Sequence, residues 1–267
     1  MEPLSAADIE RQRPYFEEAG YLVFKGVVDK ARLSSLRDDL FAEYERASRA
    51  GELFAGGGRI SGHLNCFPGA QSRFAYDTLR DHGILELIQK LNPRAVGAPA
   101  VGCNLNLPGS YPQHYHADGW YTGEFMIANV AVVDTVIENG AIDVLPRTHK
   151  KFYKFWRYAT ERAYRLSTRV PLEQGDVLIR TSNLWHRGMP NRTNVARPML
   201  AFTFGENRTT LADPFTFNEG KISFHENWFR PTLAGRLRER TFVKAPITYS
   251  AYRFVRSLVG NKGYDTA

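Results

Sequence analysis

The sequence predicts a mainly β protein with flanking helices, built on a jelly-roll-like core. Three observations carry this. From about residue 95 the chain breaks into short runs rich in Val, Ile and Phe: "AVGCNLNL", "EFMIANVAVVDTV", "AIDVLP", "STRVPL", "GDVLIRT" and "RPMLAFTFGE". Turn sequences such as PGS, ENG, EQGD and PNRTN separate them, the punctuation of a sandwich or barrel. Aromatic residues reach 13% and are spread along the chain, which suits half-buried pleated strands better than a helical array.

The N-terminal elements follow a different period. Residues 5–18 read as a helix, because Ser5 can cap it and acidic residues cluster early. "GYLVFKGVV" reads as a strand. "DKARLSSLRDDLFAEYERASR" places Leu33, Leu36, Leu40 and Tyr44 at helical spacing, which makes it a long amphipathic helix. "AGELFAGGGRISGH" is a glycine-rich loop with no P-loop lysine, and so a weak candidate for phosphate binding. A further helix is expected over residues 78–91. No repeat or low-complexity linker occurs, so one domain is expected over residues 1–267. Helices within 1–94 would pack on a β core at 95–205, followed by a C-terminal extension at 206–267.

Hydrophobic residues make up 43% of the 267, enough for a sizeable core. The net charge of +7 favours anionic partners without choosing among them. Two cysteines, Cys66 and Cys103, give no disulfide framework or zinc-ribbon spacing and read as free buried thiols of a reducing compartment. The N-terminal segment is charged and has no apolar h-region. No run approaches the ~18 apolar residues of a span. The expected location is cytoplasmic.

The chemistry concentrates in "QHYHADGW", residues 113–120. On a strand, residues i and i+2 share a face, so His116 and Asp118 would project together, ~7 Å apart along the backbone. A third ligand must come from elsewhere: His63, His82, His149, His186 or His225, besides neighbouring His114. His186 stands out because "GDVLIRTSNLWHRGMPN" is a turn, an apolar strand and a histidine at the strand's end. Two imidazoles and one carboxylate make the facial triad of non-haem Fe(II) oxygenases. His114 could replace His116 as ligand, but only H-x-D keeps the carboxylate in register. Arg197 follows eleven residues after His186, before a proline. That position is biased to extended backbone and should start a strand whose face carries Met199, Ala201 and Thr203. An arginine pointing into a β core needs an anion, and guanidinium matches a carboxylate in two-pronged fashion. Arg192 competes for that role but lies in the polar turn PNRTN, so solvent is its expected place.

With these residues in view, the chain resembles the phytanoyl-CoA dioxygenase family of Fe(II)/2-oxoglutarate-dependent oxygenases. The matching segments are "HADG" (116–119), "ENGAIDVLPRTHK" (138–150), "GDVLIR" (175–180) and "HRGMPNRTNVAR" (186–197), with "FEEAGYLVFKGVV" near the N-terminus. The resemblance implies a double-stranded β-helix of cupin type. It implies Fe(II) on His116, Asp118 and His186, and 2-oxoglutarate with its distal carboxylate on Arg197. Two more cosubstrate contacts fall by resemblance on Cys103 and Asn129. The chain departs from the family in Pro146-Arg147-Thr148-His149, where Pro-Gly-Ser/Thr-His is common. It departs again at Gly188, where a hydroxyl residue is common and a hydrogen bond to the cosubstrate is lost.

Two segments invite a different reading. "HKKFYKFWRYATERAYR" (149–165) and "YSAYRFVRSLVGNKG" interleave basic and aromatic residues, as nucleic-acid binders do. Phe152, Phe155, Trp156, Ala159 and Ala163 fall at helical spacing, however, so a packed amphipathic helix with a solvated basic face is expected. No nucleic-acid partner is expected, and the C-terminal segment leaves room for peripheral contact with a membrane surface. The leading expectation is a 2-oxoglutarate-dependent hydroxylase of a small, acidic, partly apolar molecule, an acyl thioester, or an envelope sugar or lipid. The pocket would be lined by residues 55–63, His114, Trp120, Tyr121 and the 150–165 helix. The alternative is a non-catalytic β-sandwich that binds an anionic ligand or nucleic acid.

Overall fold

The computed structural model describes residues 2, 4–53, 61–113, 115–119, 121–152, 158, 160–205, 212–224, 233–245, 247–248, 251–252 and 255. Helix α1 (Ala6–Ala19) opens with a capping box, in which Ser5 accepts from the Asp8 backbone and Asp8 accepts from that of Ser5. Strand β1 (Tyr21–Phe24) follows, then α2 (Lys30–Ala50), which buries Leu33, Leu36 and Leu40 as its spacing requires. The helix expected over 78–91 is two helices, α3 (Arg73–Asp81) and α4 (Ile84–Leu91). Between them Gly83 stands at φ +74°, which no helix admits and glycine adopts freely.

The remaining strands are β2 (His63–Phe67), β3 (Ala100–Asn106), β4 (Met126–Ala131), β5 (Ile142–Val144), β6 (Thr168–Val170), β7 (Val177–Thr181), β8 (His186–Arg187), β9 (Arg197–Phe204) and β10 (Ser223–Phe224). They form a seven-stranded sheet, ordered β1-β7-β4-β9-β3-β2-β10, and a three-stranded sheet, β6-β5-β8. Every paired strand is antiparallel. The larger sheet also takes in β1, β2 and β10, which lie outside the 95–205 stretch read as the β core. β1 is the strand legible in "GYLVFKGVV", whereas β2 and β10, of five and two residues, carry too few periods to register in a sequence pattern.

The two faces of the large sheet have different duties. One face buries Cys66, Cys103, Met126, Ala128, Val130, Val177, Ile179, Leu200 and Phe202 against Ile9 and Phe16 of α1 and Leu33, Leu36 and Leu40 of α2. The other packs Leu178, Ala131 and Met199 against Val144, Val170, Leu172 and Leu184. Strand alternation therefore sends neighbouring residues to opposite destinations: Leu178 and Arg180 face the small sheet, while Val177 and Ile179 face the helices.

The helix expected over 149–165 is not continuous. Residues 148–150 are a 3-10 turn after Arg147 at φ +72°, Lys151 is extended, and Arg162 is left-handed before a second 3-10 turn, Ala163–Leu166. Residues 153–157 and 159 lie outside the described set. Of the packing residues expected there, Phe152 packs against Tyr121 and Ala163 is buried; Tyr158, which the spacing did not single out, stacks on Trp185 at 4.9 Å. At the C-terminal end, helix α5 (Leu233–Lys244) leaves Leu233 and Leu237 exposed. Among the described residues, no helix is long and apolar enough to cross a membrane.

Candidate metal centre and cavity

A cavity of about 490 Å³ opens between the two sheets, within the size range of small-molecule sites. His116, Asp118 and His186 meet at one end of it. Each offers one ligand atom, and these atoms lie within 4.8 Å of one another. Asp118 Oδ1 is 3.7 Å from His116 Nε2, and Oδ2 is 3.5 Å from His186 Nε2. The two imidazole centroids are 4.6 Å apart.

Backbone pairing assembles the triad. His116 sits in no continuous strand, contrary to the simplest reading of H-x-D. It forms an isolated antiparallel bridge with His186, and the Asp118 N–H donates to the Ser182 carbonyl at 3.0 Å. The His186 Nδ1–H donates to the Leu184 carbonyl at 2.9 Å, which leaves the Nε2 lone pair for a metal. Beneath the triad, Asp143 is 1% exposed and accepts from Tyr115 (2.6 Å), Ser167 (2.7 Å) and Arg187 (2.9 Å). Tyr115 precedes one ligand and Arg187 follows another. This carboxylate therefore ties together the two segments that carry the histidines.

Charge prepares the same atoms. Burial alone would raise the Asp118 carboxyl, but the Arg180 guanidinium, with His186 and His116, holds it well below the usual carboxylate range. Burial, with Arg180 adding to it, pushes His186 down to about 3. An ionised carboxylate and a neutral imidazole are the forms that bind a cation. The donor set suits a divalent transition metal with open positions for other ligands.

Arg197 starts β9, as the following proline suggested, and Met199, Ala201 and Thr203 share its cavity-lining face. It is 5% exposed. One Nη2–H donates to the Gly140 carbonyl at 3.3 Å, while the buried Nε has no partner. Burial pushes its guanidinium down to about 10. An orphaned buried donor on a cation calls for an anionic ligand.

Asn129 lines the cavity from β4, donating to the Leu200 carbonyl and accepting from Arg180 Nε at 3.3 Å. Cys103 does not reach the cavity. It faces the helices, in register with Cys66, because it lies one residue out of phase with Asn104, which does line the cavity. Both cysteines are free and buried. His63 lines the cavity with its Nε2 2.8 Å from the Tyr111 carbonyl. His82 bonds the Thr78 carbonyl at the end of α3, and His149 packs on the α1 terminus near Glu17. Neither joins the triad. Arg192 is exposed, as its turn implied. Tyr121 packs against Phe152 and is not part of the lining. Residues 54–60, His114, Trp120 and His225 lie outside the described set.

Sequence reasoning missed Arg180, which is 6% exposed and projects from β7 into the cavity. Its Nη1 lies 2.6 Å from Asp118 Oδ2. This close ion pair helps hold the Asp118 carboxyl in its charged form. The argument that singled out Arg197, a charge inside an apolar strand, applies equally to "GDVLIR".

The chain matches the phytanoyl-CoA dioxygenase (PhyH) family over residues 16–199, well over half of its length. The chain belongs to the phytanoyl-CoA dioxygenase family. Membership makes it an oxygenase that works with iron and 2-oxoglutarate. A curated relative, Dioxygenase FUM3 of Gibberella moniliformis, is 24% identical over 247 residues, covering 81% of this chain and 79% of that one. Among solved structures, AviO1 from Streptomyces viridochromogenes Tue57 superposes with a TM-score of 0.56 at 18% identity, covering 78% of this chain and all of that one (100%). The epimerase SnoN, crystallised with Fe3+, alpha-ketoglutarate and nogalamycin RO, gives 0.55 at 19% identity, covering 76% and 85%. The carbocyclase SnoK, from nogalamycin biosynthesis, gives 0.55 at 16%, covering 84% and 94%. At these identities the solved structures establish the fold, a jelly roll of cupin type shared by this phytanoyl-CoA dioxygenase family member.

Proposed function

We propose that the protein is a hydroxylase, inserting oxygen into an unactivated C–H bond of a small organic molecule. The observation that carries this is a buried, partly unsatisfied Arg197 in the same cavity as the His116–Asp118–His186 triad. A cation site and an anion site then share one enclosed space.

In this reading His116, Asp118 and His186 hold Fe(II), and Arg197 takes the distal carboxylate of 2-oxoglutarate, with Asn129 beside it. Held by these residues, iron and 2-oxoglutarate would supply the oxidising power together with O2, one oxygen atom going to the substrate and the other to the succinate formed with CO2. The chain's own residues do the rest. Arg197 fixes the cosubstrate's orientation by a two-pronged contact. The Leu184 carbonyl keeps the His186 ring from turning. Phe125, Ile127 and Met199 line the cavity with apolar surface and keep water from the reacting groups. Retention of Asp118 favours hydroxylation over halogenation, because a halide would need the position that the carboxylate occupies.

The test is succinate formed from 2-oxoglutarate with added Fe(II) and O2. Turnover, coupled or uncoupled, is expected in the wild type and absent in His186→Ala. Failure of the wild type to convert any 2-oxoglutarate would count against the reading. The epimerase and carbocyclase among the structural relatives make product analysis by mass the deciding measurement. A gain of one oxygen atom supports hydroxylation; an isomer or a loss of two hydrogens refutes it.

A further inference from the structure

We propose that Arg180 makes the metal end of the cavity an anion subsite, so that the substrate carries a carboxylate-sized negative group held beside the metal. The inference rests on the oxygenase reading above and adds the substrate's charge to it.

The first argument is the unused donors. A guanidinium has five N–H groups. Arg180 donates from Nε to Asn129 Oδ1 at 3.3 Å, and its Nη1 is paired with Asp118 Oδ2 at 2.6 Å. No hydrogen bond runs from its Nη2 to any described residue. Its side chain is only 7% exposed and lines the cavity, so what remains is directed to whatever occupies that space.

The second argument is charge. Histidines aside, the described residues of the cavity lining include one carboxylate, Asp118, and two guanidiniums, Arg180 and Arg197. A divalent metal and the doubly charged cosubstrate cancel each other. One positive charge is left over in a buried space, where an uncompensated ion is costly. A neutral substrate would leave it so, whereas a monoanion completes the balance.

The third argument is position. Arg180 is in register with Ile127, and Ile127 with Thr203 of β9. Arg197 lies six residues earlier on that strand, about 20 Å along the sheet at ~3.3 Å per residue. The two guanidiniums therefore serve opposite ends of the cavity. The cosubstrate's distal carboxylate occupies one end, and the other end faces whatever approaches the metal.

The experiment uses full-length protein loaded with Mn(II) and saturating 2-oxoglutarate, with matched acid and amide probes: phenylacetate against phenylacetamide, and cyclohexanecarboxylate against its carboxamide. Paramagnetic broadening of the probe's proton resonances reads binding near the metal. The acids should bind about tenfold more tightly than the amides, the scale of one charge-assisted contact. Arg180→Gln should erase that preference, and Arg180→Lys should restore part of it. The 2-oxoglutarate dissociation constant should stay within about threefold in Arg180→Gln and rise more than tenfold in Arg197→Gln. Equal binding of acids and amides by the wild type would overturn the proposal, as would an acid preference that survives Arg180→Gln. A loss of 2-oxoglutarate affinity in Arg180→Gln to match Arg197→Gln would assign the residue to the cosubstrate and overturn it too. A wild type that binds neither Mn(II) nor 2-oxoglutarate would sink the oxygenase reading itself, a result separate from the acid–amide comparison.

Discussion

His116 and His186 exchange backbone hydrogen bonds, each N–H donating to the other's carbonyl at 2.9 Å. Seventy residues of chain separate them, yet main-chain pairing sets their spacing. Their imidazoles therefore face one another whether or not a metal is present. Replacing either ring should remove a ligand without moving the other. His116→Ala and His186→Ala are each expected to weaken Mn(II) or Co(II) binding by more than about 100-fold, well beyond the 10–100-fold typical of outer partners. Titration calorimetry with unchanged circular dichroism checks this.

Arg197 is a buried cation with an orphaned Nε. Removing it should relieve the resting protein and disable the cosubstrate site. Arg197→Met is expected to melt at or above the wild-type temperature without 2-oxoglutarate. Added 2-oxoglutarate should raise the wild-type Tm and leave the variant's unchanged. Thermal unfolding with and without the ligand measures both effects.

Asp143 joins three donors in the interior. Asp143→Ala strands the Arg187 charge and two hydroxyls, at a cost of about 3–5 kcal/mol. Chemical denaturation should show that loss in the metal-free protein. Arg187 also lies over the Tyr115 ring at 4.1 Å, and the same variant should loosen that contact.

Gly188 lies where the family often carries a hydroxyl residue. A Cβ there would stand 2.8 Å from His63 Cε1 and 2.9 Å from Gln113 Oε1. Gly188→Ser is therefore expected to weaken 2-oxoglutarate binding, by about tenfold, as overpacking of ~1–3 kcal/mol implies. The alternative, a gained hydrogen bond and tighter binding, would show that the neighbours yield freely.

Burial pushes the His149 imidazole down from its ordinary 6.5, with the Glu17 carbonyl partly opposing. The unfolded chain then binds the proton more readily than the folded one. Stability is unaffected at high pH and falls as the pH drops below about 6.5. His149→Gln should flatten the fall in Tm between pH 7.5 and pH 5.5.

Legibility followed the length and regularity of each pattern. The α2 stripe of Leu33, Leu36 and Leu40 and the Ser5 cap are local signals, and both stand as read. Arg197 was legible because a proline marks the strand start and a charge in a β core demands a partner. His82–Gly83 split one expected helix into two, because the apolar spacing continues on either side of the break. The 149–165 segment read as a helix because basic and apolar residues alternate at the right period. The extended Lys151 and the left-handed Arg162 interrupt it, and neither residue type gives warning of a break. Cys103 was one residue out of phase: a strand's two faces differ by a single step, and only the partner strands settle which face looks inward. Arg180 went unread because its apolar neighbours make "GDVLIR" resemble core.

The Asp143 clamp has a practical corollary. Since side chains and backbone already hold the ligand-bearing segments in place, the ion arrives at a finished socket and need not shape one. Chelation should strip the protein without unfolding it, and recharging with a redox-silent substitute should trap complexes that the native metal would consume.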